Sequence, residues 1–115
     1  MEIATVEILN TEFNAGELDL LEVTIQSNIE VELHLIAELF TDAPSAFNPI
    51  QWDEFKIKPM GKVKLSEMVE MSAHPMISGN AIFTLFDVDT NDEYMFILGN
   101  LKLVQTENTY QVEEV

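Results

Sequence analysis

The sequence predicts an all-β protein, a single-domain antiparallel β-sandwich of the immunoglobulin-like or jelly-roll type with about eight strands, over residues 1–115. Apolar and polar residues alternate with a period of two along much of the chain, as in strands with one buried face. These segments are separated by short stretches rich in Gly, Pro, Asn and Asp, which predict turns. No segment has a convincing helical period. Closure into a barrel is the alternative, and the pattern does not give the strand order.

The first half of the chain holds the clearest alternation. Strands are predicted at residues 2–9, 18–26 and 28–40. The polar face of the third strand would carry Glu30, Glu32, His34 and Glu38. Ser27 and Asn28 predict a short turn that joins the second and third strands as a hairpin. The intervening segment at residues 10–17 predicts a loop because it contains two Asn and a Gly.

The second half of the chain continues the pattern after an irregular, proline-containing segment at residues 41–50. Strands are predicted at residues 51–57, 62–71, 81–88, 93–98, 101–105 and 109–115. A second irregular segment, at residues 72–80, separates the second and third of these strands. Residues 81–88 and 93–98 are apolar on both faces. This indicates central strands that other layers cover on each side.

Charge is the most unusual feature of the composition. The chain has 21 acidic residues and five lysines with no arginine, which gives a formal net charge of −16. Such a field repels nucleic acid phosphates and anionic lipid head groups, so we expect no direct binding to nucleic acid or to a membrane. It attracts a basic protein surface. The alternative interpretation is that acidity keeps a β-protein soluble and protects its sheet edges.

The lysines are concentrated in one short segment. Four of the five lie within residues 55–64: Lys56, Lys58, Lys62 and Lys64. If the sequence Pro-Met-Gly at 59–61 forms a three-residue hairpin loop, these lysines face one another across two paired strands, which is unfavourable without acidic neighbours. A two-residue loop would shift the register and divide the lysines between the two faces. The pattern predicts either lysines that balance nearby acids and protect an edge, or a basic patch that docks an acidic partner or a second copy of this chain.

Oxygen-bearing side chains are dense at residues 87–93. Asp87, Asp89 and Asn91 match the first three ligand positions of an EF-hand loop. The loop departs from that motif because Asp92 replaces the turn glycine and Leu98 replaces the bidentate Glu. We therefore predict the tip of a β-hairpin, in which Asp and Asn hydrogen-bond to their own backbone. A looser Ca²⁺ site at the same three residues is the weaker alternative.

No motif predicts catalysis. The chain lacks a G-x-S-x-G nucleophile elbow, a P-loop and a dinucleotide-binding fingerprint. It has two His and no Cys, so a transition-metal site would depend on distant carboxylates. We therefore expect no enzyme activity, no catalytic or metal-ligating residues and no cofactor. Aromatic residues near the proline at position 49 suggest another kind of site, because Phe47 and Trp52 would form a recognition patch if they are exposed.

The segments at residues 58–67 and 79–89 are slightly similar to the aegerolysin group of lipid-binding β-sandwich proteins. The similarity rests on a Pro-Gly strand start and the hairpin that follows. The tryptophan-rich pattern of that group is absent, since Trp52 is the one tryptophan of the chain. No residue role or activity is transferred from it.

These observations favour a non-enzymatic, acidic protein–protein interaction module, which we expect in the cytoplasm. Its binding residues would include Glu30, Glu32 and Glu38 as a row of carboxylates along one strand. In its sharpest form this is a phage-type inhibitor that imitates nucleic acid and occupies a basic groove, since carboxylates two residues apart stand roughly 6–7 Å apart. The alternatives are a structural subunit of a homo-oligomer or particle, docked through the lysine segment, and a lipid- or sugar-binding sandwich that uses Trp52 and Phe47.

Overall fold

The predicted β-sandwich is confirmed by the structure, a computed structural model that describes residues 2–9, 12–14, 16–41, 48–70 and 79–104. These residues form eight strands: β1 (Ala4–Ile8), β2 (Glu12–Asn14), β3 (Leu18–Ser27), β4 (Leu33–Thr41), β5 (Ile50–Ile57), β6 (Lys62–Glu70), β7 (Gly79–Asp87) and β8 (Glu93–Val104). The last predicted strand, at residues 109–115, lies outside the described residues.

The strands form two sheets. The small sheet has the order β1-β3-β6, and the large sheet has the order β2-β8-β7-β4-β5. All neighbouring strands are antiparallel except β2, which runs parallel to the end of β8. β3 and β6 pair in the small sheet, while β4, β7 and β8 belong to the large one. Of the two types that the sequence left open, this is the immunoglobulin-like one.

The core lies between the two sheets. It is built from the inward-facing residues of alternating positions, which are almost all aliphatic. The most deeply buried large side chains are Phe83, Leu21, Ile25, Leu35, Leu39, Ile57, Leu85 and Val23. The prediction that the even-spaced apolar residues share one buried face is correct for β3 and β4, whose burial alternates residue by residue.

The predicted hairpin between the second and third strands is wrong. β3 and β4 lie in different sheets, and the chain crosses between them at residues 28–32. The crossing is fixed by the backbone N–H of Met60, which donates to the carbonyl of Ile29 at 2.9 Å. Glu30 and Glu32 are exposed in this connection rather than lying on a strand. The alternation continues through them in the sequence only, because Val31, the apolar residue between them, is 61% exposed.

The predicted lysine hairpin is also wrong, because β5 and β6 belong to opposite sheets. The turn between them has the hydrogen bond of a β-turn, from the N–H of Gly61 to the carbonyl of Lys58 at 2.8 Å. Pro59 occupies the second position, and Met60 has a positive φ of 56° at the third. This is the geometry of a type II turn. A tight turn can therefore join two sheets as well as two paired strands.

Gly61 should be the least replaceable residue of this turn. A Cβ at position 61 would stand 2.9 Å from the carbonyl oxygen of Lys58, which is a backbone atom of the same turn. We expect Gly61→Ala to lower the free energy of unfolding by about 1–2 kcal/mol, measured by chemical denaturation. Lys62→Ala, at an exposed neighbouring position, should change it by less than about 0.5 kcal/mol. Equal stability of the two variants would contradict the role assigned to Gly61.

Two further differences concern strand boundaries in the large sheet. The segments predicted as separate strands at 93–98 and 101–105 form one strand, β8, with a bulge opposite the step from Ala81 to Ile82. Residues 12–14, predicted as part of a loop, form the short strand β2. The sequence signal was weak here because a bulge and a three-residue strand leave little periodicity to detect.

Candidate interaction surface

The outward-facing side of the large sheet carries a compact group of apolar residues. On three adjacent strands, β4, β7 and β8, the pairing register aligns nine outward-facing residues in three rows. The rows are Ile36–Phe86–Glu93, Glu38–Thr84–Met95 and Phe40–Ile82–Ile97. We call these nine residues the outer face. Six of them are apolar, which is the composition of a covered sheet surface rather than a solvated one.

The apolar residues of the outer face are accessible within the described part of the chain. Met95 is 65% exposed and Ile97 is 67% exposed, and the four others are half-buried by their neighbours in the sheet. The small sheet covers the opposite, inward-facing side. At roughly 4.8 Å between strands and about 7 Å between alternate residues, the three rows span about 10 Å by about 14 Å. Apolar side chains grouped on one sheet face with acids beside them make this face the candidate binding surface.

Two carboxylates belong to the outer face and stand on opposite sides of β7. Glu38 lies on β4 in the middle row, and Glu93 lies on β8 in the first row. Glu38 is half-buried, whereas Glu93 is exposed. The central column of the face, formed by β7, is uncharged. The outer face therefore presents an apolar centre with one acid on each flank.

One end of the outer face holds a histidine between two more carboxylates. His34 Nε2 lies 2.7 Å from Glu54 Oε2, and His34 Nδ1 lies 3.7 Å from Asp89 Oδ1. Lys56 is in register with His34 on β5 and is exposed. In the described ranges, no group of three or more His, Cys, Asp and Glu residues has the arrangement of a metal site. The cluster links β4, β5 and the turn after β7 by polar contacts.

The acidic segment that suggested calcium forms the turn between β7 and β8, as the hairpin interpretation predicted. Asp87 is almost fully buried, and its Oδ1 accepts hydrogen bonds from the backbone N–H groups of Asp89 at 2.9 Å and Thr90 at 3.2 Å. Asn91 adopts a positive φ of 67°, which Asn tolerates better than most residues. The looser Ca²⁺ site at Asp87, Asp89 and Asn91 stays a prediction.

Tyr94 follows this turn and lies close to its acids. Burial raises the pKa of Tyr94 above its ordinary value of 10.0, and the charges of Asp92 and Asp87 and a hydrogen bond to the Asp92 side chain raise it further. The folded state therefore favours the neutral phenol. The resulting stabilisation is fully present below pH 10.0 and is lost as the pH rises above that value.

The raised pKa predicts a specific pH dependence. Wild-type protein should lose more stability than Tyr94→Phe between about pH 9 and about pH 11, measured by denaturant unfolding at each pH. The ultraviolet absorbance of the phenolate should show the same tyrosine titrating above its ordinary range. The chain has two tyrosines, so the difference spectrum between wild type and Tyr94→Phe assigns the signal. Parallel stability curves for the two proteins would contradict this effect.

The lysines predicted to form one basic patch are divided between the two sheets. Lys56 lies on the large sheet, whereas Lys62 and Lys64 point outward from the small sheet. Lys58 is exposed in the turn between β5 and β6. Lys64 Nζ is 3.4 Å from Glu22 Oε2 on the neighbouring strand. This pair and the position of β6 at a sheet edge agree with the interpretation that the lysines balance acids and protect an edge.

Trp52 lies on β5, within the strand predicted at residues 51–57. Its ring centroid lies 6.2 Å from that of the buried Phe83, and its Nε1 donates to the carbonyl oxygen of Ser66 at 3.2 Å. Because Ser66 belongs to β6, this bond connects the edges of the two sheets. Trp52 therefore stabilises the flank of the sandwich in this structure. Phe47, its predicted partner in a recognition patch, lies outside the described residues.

The acids do not form the predicted row along one strand. Glu38 lies on β4, but Glu30 and Glu32 precede that strand in the sheet-to-sheet connection. Other exposed carboxylates occur on both sheets, for example Glu7 on β1 of the small sheet and Asp53 on β5 of the large sheet. Sequence reasoning also missed most of the outer face. It recognised that β7 and β8 are apolar on both faces but did not place Ile36 and Phe40 beside them.

Several solved structures are similar to this chain at low sequence identity. The alkylpurine DNA glycosylase AlkC of Pseudomonas fluorescens, bound to DNA containing an abasic site analogue, matches with a TM-score of 0.55 and 9% identity, over 92% of this chain and 31% of that chain. The PapD-like domain 7 of human CEP192 matches with a TM-score of 0.48 and 12% identity, over 89% of this chain and 87% of that domain. A β-glucosidase from Listeria innocua matches with a TM-score of 0.40 and 14% identity, over 87% of this chain and 16% of that chain.

The match to AlkC shows the fold alone, because its identity is 9% and this chain spans 31% of that protein. No protein-family model matches the chain, and no curated protein is similar enough to it to count as a relative. Within the described ranges, no helix is long and apolar enough to cross a membrane.

Proposed function

We propose that this protein is a non-enzymatic interaction module that binds a basic protein surface through the outer face of its large sheet. The observation that carries the proposal is the grouping of six apolar side chains with Glu38 and Glu93 on three adjacent strands. Burial of the apolar centre supplies the affinity. The two acids, together with the net charge of −16, select a partner that carries lysine or arginine around an apolar centre.

A second copy of this chain is a poorer partner for the outer face. In a symmetric dimer each face would meet an identical face, so that apolar groups match but the charges of Glu38 and Glu93 repel. Glu54 and Asp89 add two more carboxylates at one end, and Lys56 is the lysine in register with that end. Two chains of charge −16 also repel each other at long range. With a basic partner, both the contact between charges at the face and the long-range interaction become attractive.

The nucleic-acid mimicry form of the hypothesis is not part of this proposal. It was based on a strand that carries Glu30, Glu32 and Glu38 as a row, and the first two lie in a connection instead. The lipid- or sugar-binding alternative depended on an open aromatic patch, and Trp52 is engaged with Phe83 and Ser66. Both remain predictions from the sequence.

The experiment places a photo-crosslinking amino acid at position 95 of the full chain in cells and, as a matched control, at position 68. Met68 is also an exposed methionine, with 50% of its surface accessible, but it points outward from the small sheet. Any crosslinked protein is identified, purified and titrated against the unmodified chain. We expect a basic protein crosslinked from position 95 only, with binding that weakens at high salt.

The titration then decides the proposal. Met95→Lys should weaken binding of the purified partner by about tenfold or more, because it removes apolar contact and places a cation on a face that meets cations. Met68→Lys should leave it within about twofold. Crosslinking to a second copy, with a dimer seen by light scattering, would replace the proposal with the homo-oligomer alternative. Equal crosslinking from both positions, or none from position 95, would overturn it.

A further inference from the structure

We infer that the segment that docks on the outer face is an amphipathic helix with basic residues on both sides of its apolar stripe. The inference rests on the proposed function and specifies the partner. Peptide N–H and C=O groups lie in the plane of a sheet and point toward neighbouring strands. The outer face therefore offers side chains and no backbone hydrogen bonds to whatever covers it.

This property discriminates between helical and extended partners. An extended segment laid on the face would point its own N–H and C=O groups sideways, where the outer face offers no hydrogen-bond partner, so these groups would go unpaired unless water reached them. A helix satisfies its backbone internally and exposes only side chains. β7 is paired on both sides, with β4 and with β8, so an added strand cannot pair with it at the centre of the face.

The dimensions of the outer face fit a helix that lies along β7. The central column runs from Ile82 through Thr84 to Phe86, a length of about 13–14 Å for four residue steps. At 1.5 Å per residue this corresponds to about nine helical residues, or two to three turns. Thr84, the smallest residue of the column, lies between the larger Ile82 and Phe86. The hollow beside Thr84 is lined by Ile36, Glu38, Phe86 and Glu93, and apolar side chains from successive helical turns would fill it.

The charges fit the same orientation. Glu38 on β4 and Glu93 on β8 are separated by two strand spacings, roughly 10 Å, across the central column. Along the column they are separated by one row, about 7 Å. An apolar helical stripe is flanked on each side by polar positions. Lysine or arginine at those positions can lay the aliphatic stem on the apolar centre and bring its charge to a carboxylate. One acid on each side thus corresponds to one basic flank on each side of the helix.

The test uses two synthetic peptides of identical Leu and Lys composition and about 18 residues each. One has leucine at the helical period, and the other alternates leucine with lysine as in a strand. Because their charges are equal, attraction to the net charge of −16 affects both alike. Affinity for the full chain is measured by fluorescence anisotropy of labelled peptide at physiological salt, and peptide helicity by circular dichroism.

We expect the helical-period peptide to bind about tenfold tighter than the alternating one and to gain helicity on binding. Met95→Lys should weaken its binding about tenfold, and Met68→Lys should change it by less than about twofold. Tighter binding of the alternating peptide, still lost in Met95→Lys, would overturn the helical inference while leaving the outer face as the binding surface. If both peptides bind and Met95→Lys does not change their affinity, the inference and the proposed function are both overturned.

Discussion

Phe83→Ala should lower the free energy of unfolding by about 3–5 kcal/mol, the range for a large buried aromatic residue. Phe83 is the largest fully buried residue in the part of the chain that the structure describes. It stands in register between Leu39 of β4 and Phe96 of β8, at the centre of the large sheet. Its removal leaves a cavity that the surrounding strands cannot close, because their backbones are held by hydrogen bonds. It also removes the ring against which Trp52 packs.

Trp52 provides the measurement, since it is the one tryptophan of the chain. Denaturant unfolding followed by its emission gives the stability, and its emission maximum in the folded protein should shift to longer wavelength in Phe83→Ala. Because a loss of this size can approach the whole stability of a small domain, Phe83→Leu serves as a second variant, with an expected loss of about 1–2 kcal/mol. Met95→Ala, on the exposed side of the same sheet, should change stability by less than about 0.5 kcal/mol. Similar losses for Phe83→Ala and Met95→Ala would contradict the assigned core.

Asp87→Ala should have the second largest effect, a loss of about 1–3 kcal/mol. The substitution removes the acceptor for the N–H groups of Asp89 and Thr90 from an almost fully buried position. Asp87→Asn keeps an oxygen acceptor there and should lose less. Asp89→Ala, whose side chain is 70% exposed, is the control from the same turn and should have little effect.

The same variants test the calcium alternative. If the buried carboxylate serves only the turn, the melting temperature of the wild type should be equal in calcium chloride and in chelator. A calcium-dependent rise in melting temperature that disappears in Asp87→Ala would show a Ca²⁺ site instead, because a ligand that binds only the folded state stabilises it. If the Asp87→Ala variant is as stable as the wild type, the structural role of this side chain is contradicted.

The sequence was sufficient for the buried faces of two long strands and for one hairpin, features that depend on near neighbours. The alternation in β3 and β4 gave their buried faces, and the Asp- and Asn-rich segment gave the tip of the β7–β8 hairpin. It was insufficient where the partner strand is distant. Leu18 pairs with Glu70, and nothing in either local pattern indicates the other. A turn with Pro59 and Gly61 has the same local sequence whether the strands on either side share a sheet or not. Nothing in the local sequence could therefore show that the hairpin prediction was wrong.

The candidate site was predictable in part. The apolar residues of β7 and β8 on the outward side were visible as strands without a polar face. Ile36 and Phe40 were visible too, as interruptions of the polar side of β4, but their significance appears only when the sheet order places them beside Phe86 and Ile82. The prediction of a carboxylate row along one strand was wrong because the local pattern extends beyond the end of that strand. Glu30 and Glu32 continue the period of β4, yet periodicity cannot mark the point where a chain leaves one sheet for the other.

The way the chain alternates between the sheets also determines how it must fold. β3 and β6 pair in the small sheet, but the two strands between them in sequence, β4 and β5, belong to the large one. Neither sheet can therefore be completed by a continuous piece of chain, and each requires loop closure over dozens of residues before its pairing contributes. We expect folding in the millisecond-to-second range, with both sheets forming in a single cooperative transition. A fragment that ends after β5 should lack stable structure, although it contains most of the residues that alternate most clearly.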